Sequence, residues 1–332
     1  MILKYHGEFE YSKALESLFE YATVWGIGGC LSDLKGSRHI EAFDKFWRET
    51  FESMFPKVGT VFEYYFDQSI ERRKFVNWTD LLSSASYKHV SETPFCNIYV
   101  SSPETCQVSH VLELLLKQKI AVMLVGAAGT GKTVMVKDRL RTIAQIRQEN
   151  STSFLEINFN HQTGSRRLQS AMEVGLEKKT GNVLGPRKSS RLIYFIDDIN
   201  MGQTDTFGTS QSVAFLLQHF AYGFWFDRDK LIINEVSDVQ YVACMNPSVG
   251  SYMVDPRFQA GFTTLTVRIP GDQTLHNIYS SIVRGYLPWL DFLSTSNSKL
   301  DLQEQEIPGQ SKPSLSDRLI FATTNIYKAV AE

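Results

Sequence analysis

The chain has 332 residues, with 34 lysines and arginines against 36 aspartates and glutamates and a net charge of −2. This balance argues against nucleic acid as the main partner, because nucleic-acid-binding proteins usually carry a basic excess. A hydrophobic content of 43% predicts a packed core, and the length allows one α/β domain with companions.

Residues 1–92 are predicted to form two helices followed by a hairpin, a small helical subdomain without a catalytic cluster. Phe62, Tyr64 and Phe66 alternate along the chain, which favours a strand with one buried face. Apolar side chains at helical spacing are expected to be core rather than a cofactor site. They are Leu15, Leu18, Phe19, Ala22 and Trp25 in the first helix, and Ile40, Phe43, Phe46, Trp47 and Phe51 in the second.

Residues 93–270 carry strand-like runs that alternate with helices, the pattern of a parallel α/β sheet. The run 192–196 is apolar throughout, as expected for a central strand that is covered on both faces. The predicted helices lie at 106–117 and 133–143, and the predicted strands lie at 120–125, 153–157, 192–196, 240–244 and 264–267.

Residues 271–332 are predicted to contain helices at 274–285 and 315–330, joined by a polar loop at 294–312. We interpret them as the start of another small helical subdomain. The last helix stops without a partner, so we expect the sequence to be a piece of a longer chain.

Targeting signals are not evident in the sequence. The N-terminus lacks the apolar stretch of a signal peptide, and no run reaches the roughly 18 apolar residues of a transmembrane helix. Without such a run we expect no membrane partner. The cysteines have no C-x-x-C pair, so we expect reduced thiols in a cytosolic-type compartment. They are Cys30, Cys96, Cys106 and Cys244.

A glycine-rich loop, GAAGTGKT, joins the strand 120–125 to the helix 133–143. It fits the phosphate-binding pattern G-x-x-x-x-G-K-[ST] at every fixed position, and the alternative is a chance match in a glycine-rich turn. Backbone N–H groups and the positive helix end attract phosphates in such a loop, its lysine reaches the β- and γ-phosphates, and its hydroxyl ligates Mg²⁺. The residues predicted to bind ATP or ADP are Gly126, Ala127, Ala128, Gly129, Thr130, Gly131, Lys132 and Thr133.

Two acidic residues follow the apolar strand 192–196, where a P-loop ATPase needs a carboxylate. Asp197 is placed to hold the Mg²⁺ site together with Thr133, and Asp198 occupies the position of the water-activating carboxylate, usually a glutamate. The alternative is a solvated strand end with two incidental acids. Aspartate is one methylene shorter than glutamate, and a misplacement of about 1 Å can cost on the order of a hundredfold in rate. We therefore expect slow or absent hydrolysis.

Asn246 follows the strand 240–244 in the sequence MNP. An asparagine at such a strand end can orient the attacking water beside the γ-phosphate. The alternative is a turn-forming Asn-Pro pair, which is common. Because the neighbouring strands carry the other site residues, we favour the catalytic interpretation.

Taken together, these motifs resemble those of an AAA+ ATPase. Their sequences are similar to the third AAA+ module of an axonemal dynein heavy chain of the outer-arm, beta type. The segments that carry this resemblance are LIYFIDDINM at 192–201, QYVACMNP at 240–247 and DPRF at 255–258. FEYATVWGIGG at 19–29 and GTVFEYY at 59–65 resemble the end of the second module. The resemblance assigns 1–92 to that preceding module, 93–270 to the large α/β nucleotide-binding subdomain and 271–332 to a truncated small subdomain.

The resemblance implies a place in a ring of six AAA+ modules in a microtubule minus-end motor of the ciliary axoneme, a cytoplasmic and cytoskeletal location. The neighbouring modules are the implied direct partners, with intermediate chains, light chains and microtubules contacted only through the full motor. It also implies that Ile98 and Val100 lie near the base. Arg257 matches the arginine-finger region facing the preceding module's nucleotide, although QAGF at 259–262 departs from the family's second basic pair. The alternative for Arg257 is a surface or N-capping role.

Three functions remain open at this stage. The sequence favours an ATP-binding regulatory module with slow hydrolysis at most. A self-contained, active P-loop ATPase is a second possibility, which Asp198 in place of glutamate argues against. A structural ring segment without nucleotide turnover is a third, and the intact GAAGTGKT loop argues against that one.

Overall fold

The computed structural model describes residues 8–33, 38–67, 69, 74–82, 98–145, 151–187, 189–247, 253–286 and 315–331. The polar loop predicted at 294–312 therefore lies outside the described residues. By its internal contacts the chain divides into two compact units. The first comprises Met1–Phe75 and Gln107–Ile269, and the second comprises Val76–Cys106 and Pro270–Glu332.

Each helix and strand predicted from the sequence is present with the predicted type, together with further elements that were not predicted. The helices are α1 (Glu8–Gly28), α2 (His39–Thr50), α3 (Trp78–Leu82), α4 (Pro103–Lys117), α5 (Lys132–Gln145), α6 (Ser165–Glu173), α7 (Gln211–Tyr222), α8 (Pro256–Gln259), α9 (Asp272–Tyr286) and α10 (Leu315–Ala331). The strands are β1 (Tyr64–Asp67), β2 (Lys74–Asn77), β3 (Val122–Val125), β4 (Thr152–Asn158), β5 (Leu176–Lys178), β6 (Val183–Pro186), β7 (Arg191–Asp197), β8 (Phe224–Phe226), β9 (Ile233–Val236), β10 (Val239–Met245) and β11 (Thr263–Thr266).

Helices form at both positions predicted near the start of the chain, but the prediction that their apolar stripes are core is wrong for part of each helix. Leu15 and Phe19 on α1 are 67% and 72% exposed, and Phe46 and Phe51 at α2 are 55% and 49% exposed. The buried face of α1 is rotated from the predicted stripe, and it includes Gly28, where a Cβ would lie 2.5 Å from the Phe62 ring. The side chains that do fill this core are Tyr21, Val24, Trp25, Ile40, Trp47, Phe62, Tyr64 and Phe66.

The main sheet of the first unit is parallel, with strand order β11-β3-β10-β7-β4 in the described part of the chain. Its central strands β7 and β10 are buried along most of their length, which explains their continuous apolar runs. Because all these strands run the same way, their carboxyl ends meet at one edge. This edge gathers the residues after β3, β7 and β10, and the mixed α/β fold is the one expected from the sequence.

A second sheet, with strand order β5-β6-β9-β8, was not predicted from the sequence. It forms from the segment between α6 and β7 and the segment between α7 and β10. Its strands have three or four residues each, too short for an alternation of buried and exposed positions to stand out. Trp225 of β8 is fully buried and joins this sheet to the core of the first unit.

Helices α9 and α10 pack together in the second unit. Arg284 of α9 forms an ion pair with Asp317 of α10 at 3.2 Å. Thr274 donates a hydrogen bond to Glu104 at 2.9 Å, which ties α9 to the first turn of α4. These contacts agree with the helices predicted at the end of the chain.

A buried histidine lies in the core behind the main sheet. His219 on α7 is 4% exposed, and its Nδ1 lies 2.5 Å from the hydroxyl of Tyr241 on β10. Its ring also packs on Trp225, with centroids 5.1 Å apart. Burial lowers the pKa of His219 from 6.5 to about 4.

We expect this histidine to make the folded chain sensitive to acid. Between pH 6.5 and pH 4 the unfolded chain binds the proton that folded His219 excludes. The free energy of unfolding should therefore have its full value above pH 6.5. It should fall toward pH 4, by about 3 kcal/mol in all. Urea unfolding of the wild type and of His219→Gln at pH 7 and pH 5 measures this, since glutamine keeps a polar side chain without titrating. The exposed His161→Gln is the control, and an unchanged pH dependence in His219→Gln would contradict the expectation.

Candidate functional site

The glycine-rich loop lies between β3 and α5, at the carboxyl edge of the main sheet. Gly126 directly follows β3, and its N–H donates to the carbonyl of Met245 at 3.2 Å. A Cβ on Gly126 would lie only 2.4 Å from the carbonyl oxygen of Val267, so this position admits no side chain. The start of the loop is thus held between the ends of β10 and β11.

Two further glycines give the loop its turn. Gly129 and Gly131 have φ angles of +80° and +79°, in the left-handed region that residues with a Cβ rarely adopt. Nothing in the described structure lies within 4 Å of a Cβ built on Gly131, so its φ angle, rather than crowding, is the reason for glycine there. Successive N–H groups in such a conformation form a concavity that suits an anion.

Lys132 is the first residue of α5, and its side chain folds back over the loop. Its Nζ donates to the carbonyl oxygens of Gly126 at 2.8 Å and Ala127 at 2.7 Å, and lies 3.3 Å from Thr130 Oγ1. The residue is only 7% exposed, and burial lowers its pKa, an effect that Cys244, Asp198 and Asp197 oppose. A ligand that engages this ammonium group must therefore replace the loop oxygens with its own.

Thr133 and Asp197, the two residues predicted to hold Mg²⁺, are in contact. Burial raises the pKa of the Asp197 carboxyl, and the nearby Thr133 side chain opposes that rise without outweighing it. The neighbouring Asp198 carboxylate and Lys137 act on the same pKa in opposite directions. A hydroxyl and a carboxylate together are oxygen ligands of the kind that Mg²⁺ prefers.

Asp198 leaves the strand in an unusual conformation. Its φ and ψ angles are 51° and 47°, in the left-handed region that aspartate tolerates better than most residues. The side chain is exposed, and the residue caps the short 3₁₀ turn Ile199–Met201. Asp198 thus lies at the sheet edge beside Asp197, where the sequence predicted a water-activating group.

Asn246 follows β10 and lies at the same edge, half-buried. Its backbone carbonyl accepts a hydrogen bond of 2.6 Å from Asn200 Nδ2. Asn200 is 3% exposed and was not singled out from the sequence. The segment LIYFIDDINM contained it, but no spacing rule points from Asn200 to Asn246.

Cys244 is another residue that sequence reasoning did not connect with the site. It is fully buried on β10 and pairs with Leu124 of β3. Burial raises the pKa of its thiol well above the ordinary value, and the charges of Asp197, Lys132 and Asp198 also act on it. Because β10 lies between β3 and β7, Cys244 lies between the strand that leads into the loop and the strand that ends at Asp197.

The remaining residues predicted from the sequence are Arg257, Ile98 and Val100. Arg257 is the second residue of α8 with an exposed side chain, and its N–H donates to Asp255 Oδ1 at 2.8 Å, which caps the helix. Ile98 and Val100 are half-buried in a segment of the second unit that has no regular secondary structure. The role of Arg257 as a finger toward another module stays a prediction, and so does the contact of Ile98 and Val100 with a base.

The residues at this edge fit a nucleotide bound with Mg²⁺. The loop leaves open space beside Gly131, Lys132 supplies a buried ammonium group, and Thr133 with Asp197 supplies hard oxygen ligands. The following helix α5 adds the positive end of its dipole. Metal ions of this class neutralise the charge that develops on phosphate oxygens.

Comparison with protein families agrees with this geometry. Residues 87–270 match the family described as the P-loop containing dynein motor region, which covers more than half of the chain. The chain belongs to the dynein heavy chain family. Residues 4–80 match a second dynein description, the dynein heavy chain AAA lid domain.

Several dynein heavy chains are similar to this chain over most of its length. Human dynein axonemal heavy chain 9 is 38% identical over 273 residues, or 82% of the chain. The ciliary dynein beta chain of Tripneustes gratilla is 35% identical over 318 residues, or 96% of the chain. The flagellar outer-arm dynein alpha chain of Chlamydomonas reinhardtii is 34% identical over 282 residues, or 83% of the chain. The chain spans only 6% to 7% of the length of these relatives.

Membership of the dynein family sets the general chemistry of the site. Dynein motor regions of this kind are P-loop ATPase modules that use nucleotide and Mg²⁺. The glycine loop, the strand-end carboxylates and Asn246 all lie within the matched residues 87–270. In the part of this dynein segment that the structure describes, no helix has both the length and the apolar character to cross a membrane.

Proposed function

We propose that this chain is an ATP-binding regulatory AAA+ module of an axonemal dynein heavy chain. The observation that carries the proposal is the meeting of the glycine loop with the contact between Thr133 and Asp197 at one sheet edge. Phosphates would lie against the backbone of Gly126 to Thr133, with Lys132 turned toward them. Thr133 and Asp197 would hold Mg²⁺, and Ile98 with Val100 would lie near the base.

Slow turnover is part of the proposal. Asp198 is shorter than the glutamate usual at this position, and its left-handed backbone directs the chain out of the strand into a 3₁₀ turn. Binding does not depend on Asp198, because Lys132, Thr133 and Asp197 supply the contacts to phosphate and metal. Such a module would keep its nucleotide bound for longer than other modules of the ring need to hydrolyse theirs. This suits regulation better than force generation.

The place of the module in a larger motor follows from the resemblance of its motifs. We propose the third module of the ring, preceded by the end of the second, with 1–92, 93–270 and 271–332 as the three segments. The exposed Arg257 would then reach toward the nucleotide of the preceding module. The names of the relatives, which are axonemal, ciliary and flagellar, support a location in the axoneme. Neighbouring modules would be its direct partners, and microtubules and accessory chains would be contacted through the whole motor.

Turnover by the intact chain tests the regulatory role. We expect ATP or ADP to bind and ATP to be hydrolysed well below about 1 s⁻¹, the low end of ordinary enzyme rates. Release of phosphate from ATP under single-turnover conditions measures the rate directly. A rate at or above about 1 s⁻¹ would instead support a self-contained ATPase.

Asp198→Glu should raise that rate while nucleotide affinity hardly changes. The longer side chain brings the carboxylate closer to the water it would activate, and correcting a misplacement of about 1 Å can restore up to roughly a hundredfold. Single-turnover hydrolysis and fluorescent-nucleotide titration of the variant measure the two effects separately.

Asp238→Glu is a matched control for that change. Asp238 is also an exposed aspartate with a left-handed φ, 56° against 51° for Asp198, but it precedes β10 at the opposite edge of the sheet. Its substitution reports the backbone cost of glutamate in this conformation alone. A clear loss of hydrolysis in Asp198→Glu but not in Asp238→Glu would contradict the prediction, and a large loss of binding would mean that Asp198 is the metal-side carboxylate.

A further inference from the structure

Asn200 links the acidic strand end to the asparagine strand end. The left-handed turn at Asp198 leads into the 3₁₀ turn Ile199–Met201, closed by a hydrogen bond of 2.9 Å from Met201 N to Asp198 O. This turn carries the Asn200 side chain into the protein, where it is 3% exposed. Its Nδ2 donates to the carbonyl of Asn246 at 2.6 Å.

The orientation of the Asn200 amide is fixed by its partner. A backbone carbonyl can only accept, so the NH₂ group must face Asn246. Oδ1 then points elsewhere, and within the described residues it is buried without a hydrogen-bond partner. Leaving such an acceptor unpaired is costly, and one that persists in a native structure calls for an explanation.

The carbonyl that Asn200 holds belongs to the Asn246–Pro247 peptide. Proline has no N–H and restricts the backbone of the residue before it, so this peptide cannot be fixed by an N–H donor of its own. The hydrogen bond from Asn200 therefore sets the orientation of the Asn246 carbonyl. Through it, the backbone that carries the Asn246 side chain is tied to the turn that follows Asp197 and Asp198.

We propose that Asn200 is a positioning residue, which holds Asn246 so that the Asn246 side chain can distinguish a nucleoside triphosphate from a diphosphate. This role rests on the proposed function, because it requires nucleotide at the glycine loop. The unpaired Oδ1 is the acceptor that becomes satisfied when the triphosphate-bound arrangement orders a water or an amide beside it. Asn200 itself does not touch the phosphates.

The affinity ratio of ATP to ADP is the readout that tests this role. In the absence of turnover, ATP and ADP affinities are measured by titration calorimetry for the wild type, Asn200→Ala, Asn246→Ala and the double variant. We expect the wild type to prefer ATP, and each single variant to lose this preference by roughly tenfold, the effect of one hydrogen bond to a charged group. Affinity for ADP should hold, and the double variant should be no worse than either single variant, since the residues act as one unit.

Two further variants distinguish a positioning role of Asn200 from a merely structural one. Asn200→Asp keeps the side-chain volume but turns an acceptor toward the Asn246 carbonyl, so it should lose the preference for ATP even if Asn200→Ala folds poorly. Asn234→Ala removes an asparagine from β9, away from the sheet edge, and should leave the preference unchanged. Equal losses of ATP and ADP affinity together with a lowered melting temperature would show a merely structural role and overturn the proposal.

The remaining outcomes distinguish failure of the positioning role of Asn200 from failure of the proposed function. An unchanged ratio in Asn200→Ala and Asn200→Asp, or a wild type without preference for ATP, overturns the positioning role and leaves the nucleotide site standing. A wild-type chain that binds neither nucleotide overturns the proposed function and the positioning role with it.

Discussion

Replacing Lys132 with alanine should weaken ATP binding by the intact chain at least about a hundredfold, the loss expected when a buried charged partner of an anion is removed. The ammonium group of Lys132 is the buried cation of the glycine loop, held by the oxygens of Gly126, Ala127 and Thr130 until a ligand replaces them. Titration with a fluorescent ATP analogue, alongside circular dichroism to establish that the variant is folded, measures the effect.

Arg141→Ala is the matched control for Lys132→Ala. It removes one positive charge from the same helix, but its side chain is exposed and lies more than two turns from the loop. Its ATP affinity should stay close to that of the wild type. Unchanged affinity in Lys132→Ala, with a native circular dichroism spectrum, would contradict the assignment of the phosphate loop.

Replacing Gly126 with alanine should destabilise the first unit by about 3 kcal/mol, at the upper end of the cost of overpacking. The new Cβ would lie 2.4 Å from the backbone oxygen of Val267. Neither backbone segment can move away easily, because both are held by hydrogen bonds. Gly126 N–H donates to Met245 O at 3.2 Å, and Val267 N–H donates to Val125 O at 2.8 Å. Urea unfolding followed by tryptophan fluorescence measures the loss.

Gly26→Ala is a control of the opposite sign. Gly26 lies inside α1, and among the described atoms nothing approaches within 4 Å of a Cβ built there. Alanine should therefore stabilise the helix by about 0.5–1 kcal/mol. If Gly126→Ala were as stable as the wild type, the close approach of the loop to Val267 would be wrong.

The phosphate loop and the acidic strand end were predictable because their chemistry is local. Gly126, Gly131, Lys132 and Thr133 are adjacent in sequence, and the conformation they require is imposed by their own backbone. Asp197 could be placed beside them because a parallel sheet brings the carboxyl ends of its strands to one edge. The strands themselves were predictable because their apolar runs are long enough to indicate burial.

Other features depend on contacts that the sequence does not reveal. The second sheet consists of short strands, and its β6–β9 pairing joins two segments that are separated in the sequence by β7 and α7. Leu15 and Phe19 fit a helical stripe, but the face of α1 that is buried is the one that carries Gly28, which packs closely against Phe62. The hydrogen bond between Asn200 and Asn246 joins residues 46 positions apart through a left-handed turn that no local pattern specifies.

Titration calorimetry of ATP into the unmodified chain, with Mg²⁺ and again with excess chelator, tests the central claim most directly. The claim is that the glycine loop and the Thr133–Asp197 pair form one nucleotide site. We predict saturable binding of one ATP per chain in the presence of Mg²⁺ and clearly weaker binding after chelation, because Thr133 and Asp197 then have no metal to share with the phosphates. Absence of binding under both conditions would contradict the account.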